Sequence, residues 1–384
     1  MDKIFVNKPG KSTLVTVAIP TGAFYEKPEL KGISHFLEHM CFKGTPTRNQ
    51  KQISSSIDNV GGVLNAFTSW ELTAYWALVG NSYRNLAIDV ITDIATRPTV
   101  PAKEVDKERD VIVQELKMYE DNASHHVWDI FHETLYKPNS GFHETIIGTR
   151  ETLKNITQKE LKKYQKATYD NPVLIVVGNV NNKVQLSNKK ILNVAPSYVK
   201  EGYQEKLITR SNITQSNILI GNSVNLKQYT DTEKVFLLSL LSSIYGDMSG
   251  RLFDVIREKN HLVYRVHFNQ DIYRNGSIQW NVSLGLDKKN IYKAQKLVIK
   301  ELSRIASPKE LDIAYNKSIG SIEMNLDNTK FIGHSIAERI SRGVDWKEYF
   351  VNYKKMLRKM KGQVNPFIKS MDFKNHILVG VTPK

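Results

Sequence analysis

The sequence predicts an α+β protein of two similar domains, each a mainly antiparallel β-sheet with helices packed on one face. Three observations carry this. The order strand–helix–helix–hairpin–helix occurs twice, roughly 195 residues apart. Each copy switches from helical to alternating apolar spacing at its hairpin. Each half then closes on an apolar strand, Val173-Leu174-Ile175-Val176-Val177-Gly178 and Ile377-Leu378-Val379-Gly380-Val381. The boundaries read as a first domain over 1–195, a linker over 196–208 and a second domain over 209–384.

In order, residues 11–20 are rich in β-branched side chains and predict a strand. Thr21-Gly22 turns the chain into a helix near 30–42, which Lys43-Gly44-Thr45-Pro46 stops. A helix over about 48–60 has Ile53, Ile57 and Val60 at helical spacing and closes on Gly61-Gly62. Val63–Thr68 and Leu72–Val79 read as paired strands. A helix from Tyr83 to Thr96 ends at Arg97-Pro98. The next, from Lys103 to Glu120, has an apolar stripe of Val105, Ile112, Leu116 and Tyr119. Residues 124–170 read as helical and polar. In the second half, Ile218–Gly221 predicts a strand, and Thr232–Tyr245 and Ser249–Lys259 predict helices. Strands over Leu262–Gln270 and Ser277–Leu284 flank Asn275-Gly276, a strong hairpin cue. Lys288–Ala306 predicts a helix, and Ser307-Pro308-Lys309-Glu310 starts another with an N-cap, a proline at N1 and a glutamate at N3.

The 384 residues are 41% hydrophobic and 24% charged, as in a globular protein with a substantial core. No apolar run reaches the length of a membrane span, and no secretory signal is legible at Met1-Asp2-Lys3-Ile4. Cys41 is the single cysteine, which excludes an intrachain disulfide; a reducing, cytoplasmic setting is the expectation, with Cys41 as a small core residue. The net charge of +15 is compatible with polyanion binding, but the lysines are scattered, and nucleic acid is not the expected partner.

The chemistry concentrates in His35-Phe36-Leu37-Glu38-His39. On a helix, His35 and His39 lie one turn apart, close enough for both imidazoles to reach one metal ion at about 2.0–2.1 Å. Glu38 falls beside whatever they hold. Glu108 and Glu115 are two turns apart on the apolar stripe of the 103–120 helix. Carboxylates there call for a cation or hydrogen-bond donors. Glu115 is the candidate third ligand, and Glu108 a candidate to support it or orient a histidine ring. The alternative at this point is that both pair with surface lysines.

His35-Phe36-Leu37-Glu38-His39 followed by Glu108-Arg109-Asp110-Val111-Ile112-Val113-Gln114-Glu115 resembles the zinc peptidases of the pitrilysin, insulin-degrading enzyme and mitochondrial processing peptidase group, in its small two-domain type. Gly61-Gly62-Val63-Leu64-Asn65-Ala66-Phe67-Thr68 is similar to the family's substrate-edge strand, and Met248-Ser249-Gly250-Arg251-Leu252-Phe253 through Arg257-Glu258-Lys259 and Tyr264 to its second-domain segment. The resemblance implies one zinc per chain on His35, His39 and Glu115. It implies Glu38 as the general base toward a zinc-bound water, and Glu108 as the supporting glutamate. Asn65, Ala66 and Phe67 would hold a peptide as an added strand, and Arg257 and Tyr264 would contact substrate from the second domain as catalytic residues, one of them stabilising the oxyanion. It further implies hydrolysis of internal bonds in short or unfolded polypeptides, and a homodimer. Where the family commonly has Arg-Gly, this chain has Asn260-His261. Two other readings remain: a catalytically silent scaffold of the same fold, and a polyanion-binding protein using the basic amphipathic stretch Tyr353–Lys361, with Phe350, Tyr353, Leu357 and Met360 as its apolar stripe.

Overall fold

The protein is described from a computed structural model, over residues 1–138, 140–185, 198–246 and 248–384. Along the chain the elements are β1 (Asp2–Asn7), β2 (Ser12–Ile19), α1 (Ile33–Cys41), α2 (Gln50–Asp58), β3 (Val63–Thr68), β4 (Thr73–Gly80), α3 (Arg84–Thr96), α4 (Ala102–Asp121), α5 (Ala123–Leu135), α6 (Arg150–Asn155), α7 (Gln158–Thr168), β5 (Val173–Gly178) and β6 (Lys183–Gln185). There follow β7 (Gln204–Arg210), β8 (Ser216–Asn225), α8 (Asp231–Tyr245), a π-helical segment Phe253–Lys259, β9 (Val263–Ile272), β10 (Ser277–Leu286), α9 (Ile291–Ser303), α10 (Pro308–Leu326), α11 (Thr329–Arg342), α12 (Trp346–Val351), α13 (Tyr353–Lys361), α14 (Val364–Ser370) and β11 (Ile377–Pro383). The mixture of sheets and helices in two parts is the α+β architecture the sequence predicts.

Two compact units form, and neither is one stretch of chain. The first comprises Met1–Lys117, Glu144–Ala195 and Asn325–Trp346; the second comprises Met118–His143, Pro196–Met324 and Lys347–Lys384. In the first, a six-stranded sheet has the order β3-β4-β2-β5-β1-β6. β1 and β5 run parallel, and the other pairs are antiparallel. β2 is buried from Thr13 to Ile19 and β5 along its whole length, so both lie under cover on both faces. α3 packs on β2 and β4; α11 packs on β2 and β5. α11 approaches closely because Gly333 faces Leu14, where a Cβ would come within 2.2 Å of Leu14 Cδ2. β3 is an edge strand in register with β4: Asn65 opposes Trp76, Ala66 opposes Tyr75 and Thr68 opposes Thr73.

The second unit has a five-stranded sheet of order β7-β11-β8-β10-β9. β8, β10 and β9 pair antiparallel around the Asn275-Gly276 turn, where Gly276 takes φ +78. α5 packs on β11 and β8, and α8 on β9. The Ser307 cap is formed: Ser307 Oγ accepts from Glu310 N, and Glu310 Oε2 accepts from Ser307 N.

Four elements differ from expectation. β1 precedes the first strand legible in the sequence and pairs parallel with β5. Gln204–Arg210, read as linker to residue 208, is strand β7, in parallel register with β11; its few apolar residues and edge position hid it. The first two linker residues, 196–197, lie outside the described residues. The helical stretch expected over 124–170 is three helices; after Leu135 the chain leaves the helix, and His132 Nδ1 and His143 Nδ1 bond the carbonyls of Phe142 and Tyr136. The helix expected over Ser249–Lys259 begins at Arg251 and is π-helical from Phe253 to Lys259. No helix among the described residues is long and apolar enough to cross a membrane.

Candidate metal centre

α1 is short, nine residues, and its apolar side is wholly buried through Ile33, Phe36, Leu37, Met40 and Cys41. That burial turns His35 and His39 to one side. Gly32 caps the helix in the left-handed region, φ +93, and a Cβ there would meet Ile147 O at 2.4 Å. A side chain a few residues upstream anchors this end. Both Glu26 oxygens accept backbone amides of the first turn, Gly32 N at 2.8 Å and Ser34 N at 2.7 Å. Ser34 Oγ is bonded to Tyr164 OH at 2.7 Å. Burial raises the Glu26 carboxyl to about 7, against the pull of Lys31 and the two amides.

α4 brings the carboxylates. Its buried stripe of Val105, Ile112 and Leu116 fixes its rotation. Arg109 clamps it by bonding the carbonyls of Leu153 and Ile156 at 3.0 and 2.8 Å. Glu115 Oε2 then lies 3.7 Å from His35 Nε2 and 3.5 Å from His39 Nε2. The imidazole centroids are 4.5 Å apart. Among the described residues, His35, His39 and Glu115 form the one group of three whose ligand atoms all lie close enough, within 4.8 Å, to share an ion. Glu108 Oε1 meets His39 Nδ1 at 2.9 Å, and Glu108 Oε2 meets Lys43 Nζ at 2.5 Å. The alternative of surface lysines thus holds in part for Glu108, which is buried and takes a lysine and a histidine together. His35 Nδ1 is buried without a protein partner.

The electrostatics suit a cation. Burial, then repulsion from His39, pulls the His35 pKa down to about 3, leaving the neutral imidazole that ligates metal. Burial also disfavours charge on His39, but the carboxylates of Glu108, Glu38 and Glu115 outweigh it and raise its pKa. Burial raises Glu108 as well; its bonds to His39 and Lys43 outweigh that and lower it. Burial lifts Glu38 to about 7, opposed by the hydrogen bond from Thr68 and by His39 and reinforced by Glu115. A cation at the three ligand atoms would pull Glu38 back toward the carboxylate form. Two imidazoles, neutral when they ligate, and one carboxylate fit a zinc site with three protein ligands. Glu115 is one-quarter exposed, so the three ligand atoms are not sealed from solvent.

β3 borders the centre. Thr68 Oγ1 donates to Glu38 Oε2, and α1 packs on β3. Asn65 and Phe67 point to the other face, where Phe67 and Trp76 meet His334 edge-on at 5.3 and 5.4 Å. Asn65 Oδ1 accepts from Ala66 N at 2.7 Å. Arg257 and Tyr264 belong to the second unit: Arg257 stacks on Phe253 at 4.6 Å, and Tyr264 is 72% exposed. His261, in place of the family's glycine, holds the left-handed conformation with φ +51. Cys41 is buried and accepts from Tyr75 OH at 3.2 Å; burial lifts its thiol to about 12, as befits a core residue.

Three contributors escaped the sequence reading. Lys43 was legible only as a helix stop, although it is four residues past His39 and so on its face. Thr68 has the right parity in β3 to face α1. Glu26 carries no local signal, because it reaches α1 across an irregular turn.

The sequence profile described as "Insulinase (Peptidase family M16)" matches residues 4–149, and "Peptidase M16 inactive domain" matches residues 131–317. A Bacillus subtilis protein named "Uncharacterized zinc protease YmxG" is 32% identical over 343 residues, covering 84% of this chain and 81% of its own. The beta subunit of human mitochondrial-processing peptidase is 37% identical over 166 residues, 43% of this chain and 34% of that one. Among solved structures, a protease from Helicobacter pylori superposes with a TM-score of 0.87 at 19% identity over 99% of this chain and 97% of that chain. An M16 inactive domain from Pseudomonas fluorescens superposes with a TM-score of 0.82 at 14% identity over 100% and 96%. At those identities the two structures bear on the fold.

Proposed function

This chain belongs to peptidase family M16, the insulinase family, and from that premise we propose that it is a zinc metalloendopeptidase acting on short or unfolded polypeptides. The observation that carries the reading is the arrival of Glu115, from a separate helix, within 3.7 Å of both imidazoles of α1. His35, His39 and Glu115 would hold one zinc ion. Such an ion supplies Lewis acidity, which acidifies water and polarises a carbonyl.

The chain's own groups do the rest. Glu38, buried on the same helix and electrostatically coupled to His39 and Glu115, accepts a proton from water and returns it to the leaving amine. Glu108, held by Lys43, keeps His39 Nδ1 protonated and its Nε2 free as a ligand. The free edge of β3 takes an extended peptide as an added strand at Asn65, Ala66 and Phe67. A carbonyl bound there displaces Asn65 Oδ1 from Ala66 N. Arg257 and Tyr264 reach substrate from the second domain of a homodimer partner, and size-exclusion chromatography with light scattering tests that assembly.

The decisive experiment is metal analysis of the purified chain beside a peptide-library digest, with and without chelator. It should show about one zinc per chain and chelator-sensitive internal cleavage. Glu38→Gln should lower kcat by about 10²–10⁴-fold with zinc content and folding intact. Parental activity in that variant would refute the mechanism. A zinc-loaded parent inert on every peptide would leave the silent scaffold. The polyanion reading is weaker than the sequence suggested: Leu357 and Met360 of α13 are buried, and Lys354, Lys359 and Lys361 pair with Glu323, Glu233 and Asp312.

A further inference from the structure

We propose that Thr68 is a positioning residue for Glu38, tying the orientation of the base to the end of the strand that receives the peptide; this rests on the peptidase reading above. Thr68 is the last residue of β3, an edge strand. Alternation along β3 turns Ala66 and Thr68 to the face opposite Asn65 and Phe67. On that face α1 packs, and Thr68 Oγ1 donates to Glu38 Oε2.

Glu38 has few other restraints. The residue is 8% exposed, and it makes no salt bridge among the described residues. A buried glutamate has three side-chain torsions to settle, and packing alone leaves the terminal one broad. A single hydroxyl donor on one oxygen fixes that torsion. It leaves the second oxygen, Oε1, to face a proton donor.

The donor is itself fixed. Thr68 pairs with Thr73 at the end of the β3–β4 ladder, and the following turn is closed by Ser69 N to Leu72 O at 2.7 Å. That turn also holds the chain before α1: Ser69 O and Trp70 O accept from Ala23 N and Phe24 N at 3.0 and 2.8 Å. Gly22 is required there, since a Cβ would meet Ser69 O at 2.1 Å. Strand end, turn and the approach to α1 are therefore one connected piece of backbone, with Thr68 as its contact to the carboxylate. A strand added along β3 would stiffen that piece and the Glu38 rotamer with it.

The test compares Thr68→Val and Thr68→Ser in the zinc-loaded full chain on a short peptide. Valine keeps the shape and removes the donor; serine keeps the donor. Thr68→Val should lower kcat on the order of 10- to 100-fold with KM within about twofold, while zinc content and melting temperature stay at the parental values. Thr68→Ser should restore most of kcat. Parental kcat in Thr68→Val, equal losses in both variants, or a change confined to KM would each overturn the proposal. Crystal structures of the metal-free proteins give a readout independent of activity. Glu38 should leave its present rotamer in Thr68→Val and keep it in Thr68→Ser; an unmoved Glu38 in the valine variant overturns the proposal. If the parent cleaves nothing, the peptidase reading fails, and the metal-free structures still decide whether Thr68 orients Glu38.

Discussion

His39 is fixed at Nδ1 by Glu108, and Glu108 is fixed at its other oxygen by Lys43. Removing the lysine leaves a buried carboxylate with one partner fewer and freer to rotate away from the ring. Lys43→Met should therefore weaken zinc binding by about 10–100-fold, the usual cost of losing an outer partner of a metal ligand. Competition with a chromophoric chelator measures this, and an unchanged affinity would show that Glu108 needs no second anchor. The grouping of His35, His39 and Glu115 was readable in part from spacing, because a helix brings residues four and seven apart to one side. The supports were less so. Lys43 obeys the same spacing but looked like a helix stop, while Glu26 acts through space on amides that no sequence pattern ties to it.

At the scale of an element, the position of α1 depends on a backbone-to-backbone contact. Gly32 and Gly148 face each other with positive φ, +93 and +82, and a Cβ on Gly148 would lie 2.3 Å from Lys31 O. Neither carbonyl can retreat as a side chain would. Gly148→Ala should cost at least the ~1–2 kcal/mol of a left-handed non-glycine residue, and should lower zinc affinity by shifting the start of α1. Equilibrium unfolding with metal titration checks both, and a neutral effect would mean the 145–149 turn adjusts freely. α10 offers a pH test. Arg251 forks onto Glu310 at 2.6 and 3.0 Å, and Ser307 adds its amide and hydroxyl. The Arg251 bond, against a smaller opposing effect of burial, holds the Glu310 carboxyl down at about 2, from an ordinary 4.5. A depressed carboxyl stabilises above its unfolded value and loses that contribution as pH falls toward the folded one. The stability gap between the parent and Glu310→Gln should thus be full at pH 6 and narrowed at pH 3.5; a constant gap would contradict the assignment. The cap was plain in Ser307-Pro308-Lys309-Glu310, but Arg251 was not, because its partner is 59 residues away. Local signals fixed the starts of helices and the hairpin, whereas β1 and β7, with little apolar alternation, are strands because of their neighbours.

At the scale of the whole chain, the sequence repeat suggested a cut near residue 195, but the contacts follow a different division. α11 arrives from residues 329–342 and covers β2 and β5 of the first sheet, burying Ile332, Ile336 and Ala337 and seating Gly333 on Leu14. By sequence, all of 209–384, and so this segment, falls in the second domain. What directs it elsewhere is the apolar side of β2 and β5, buried on both faces and therefore incomplete without it. Burying two isoleucines contributes roughly 3–6 kcal/mol, a large part of the 5–15 kcal/mol that typically separates folded from unfolded protein. A fragment of residues 1–195 holds His35, His39 and Glu115 yet lacks this cover. It should bind a hydrophobic dye, unfold without a sharp transition and hold zinc far more weakly than the full chain. Adding residues 196–384 in trans should restore a cooperative melt, because the missing helix is supplied. A 1–195 fragment that melts sharply and binds zinc as the full chain does would mean that α11 is a passenger on the first sheet, and that the covalent order of the halves, not their shared core, decides what folds.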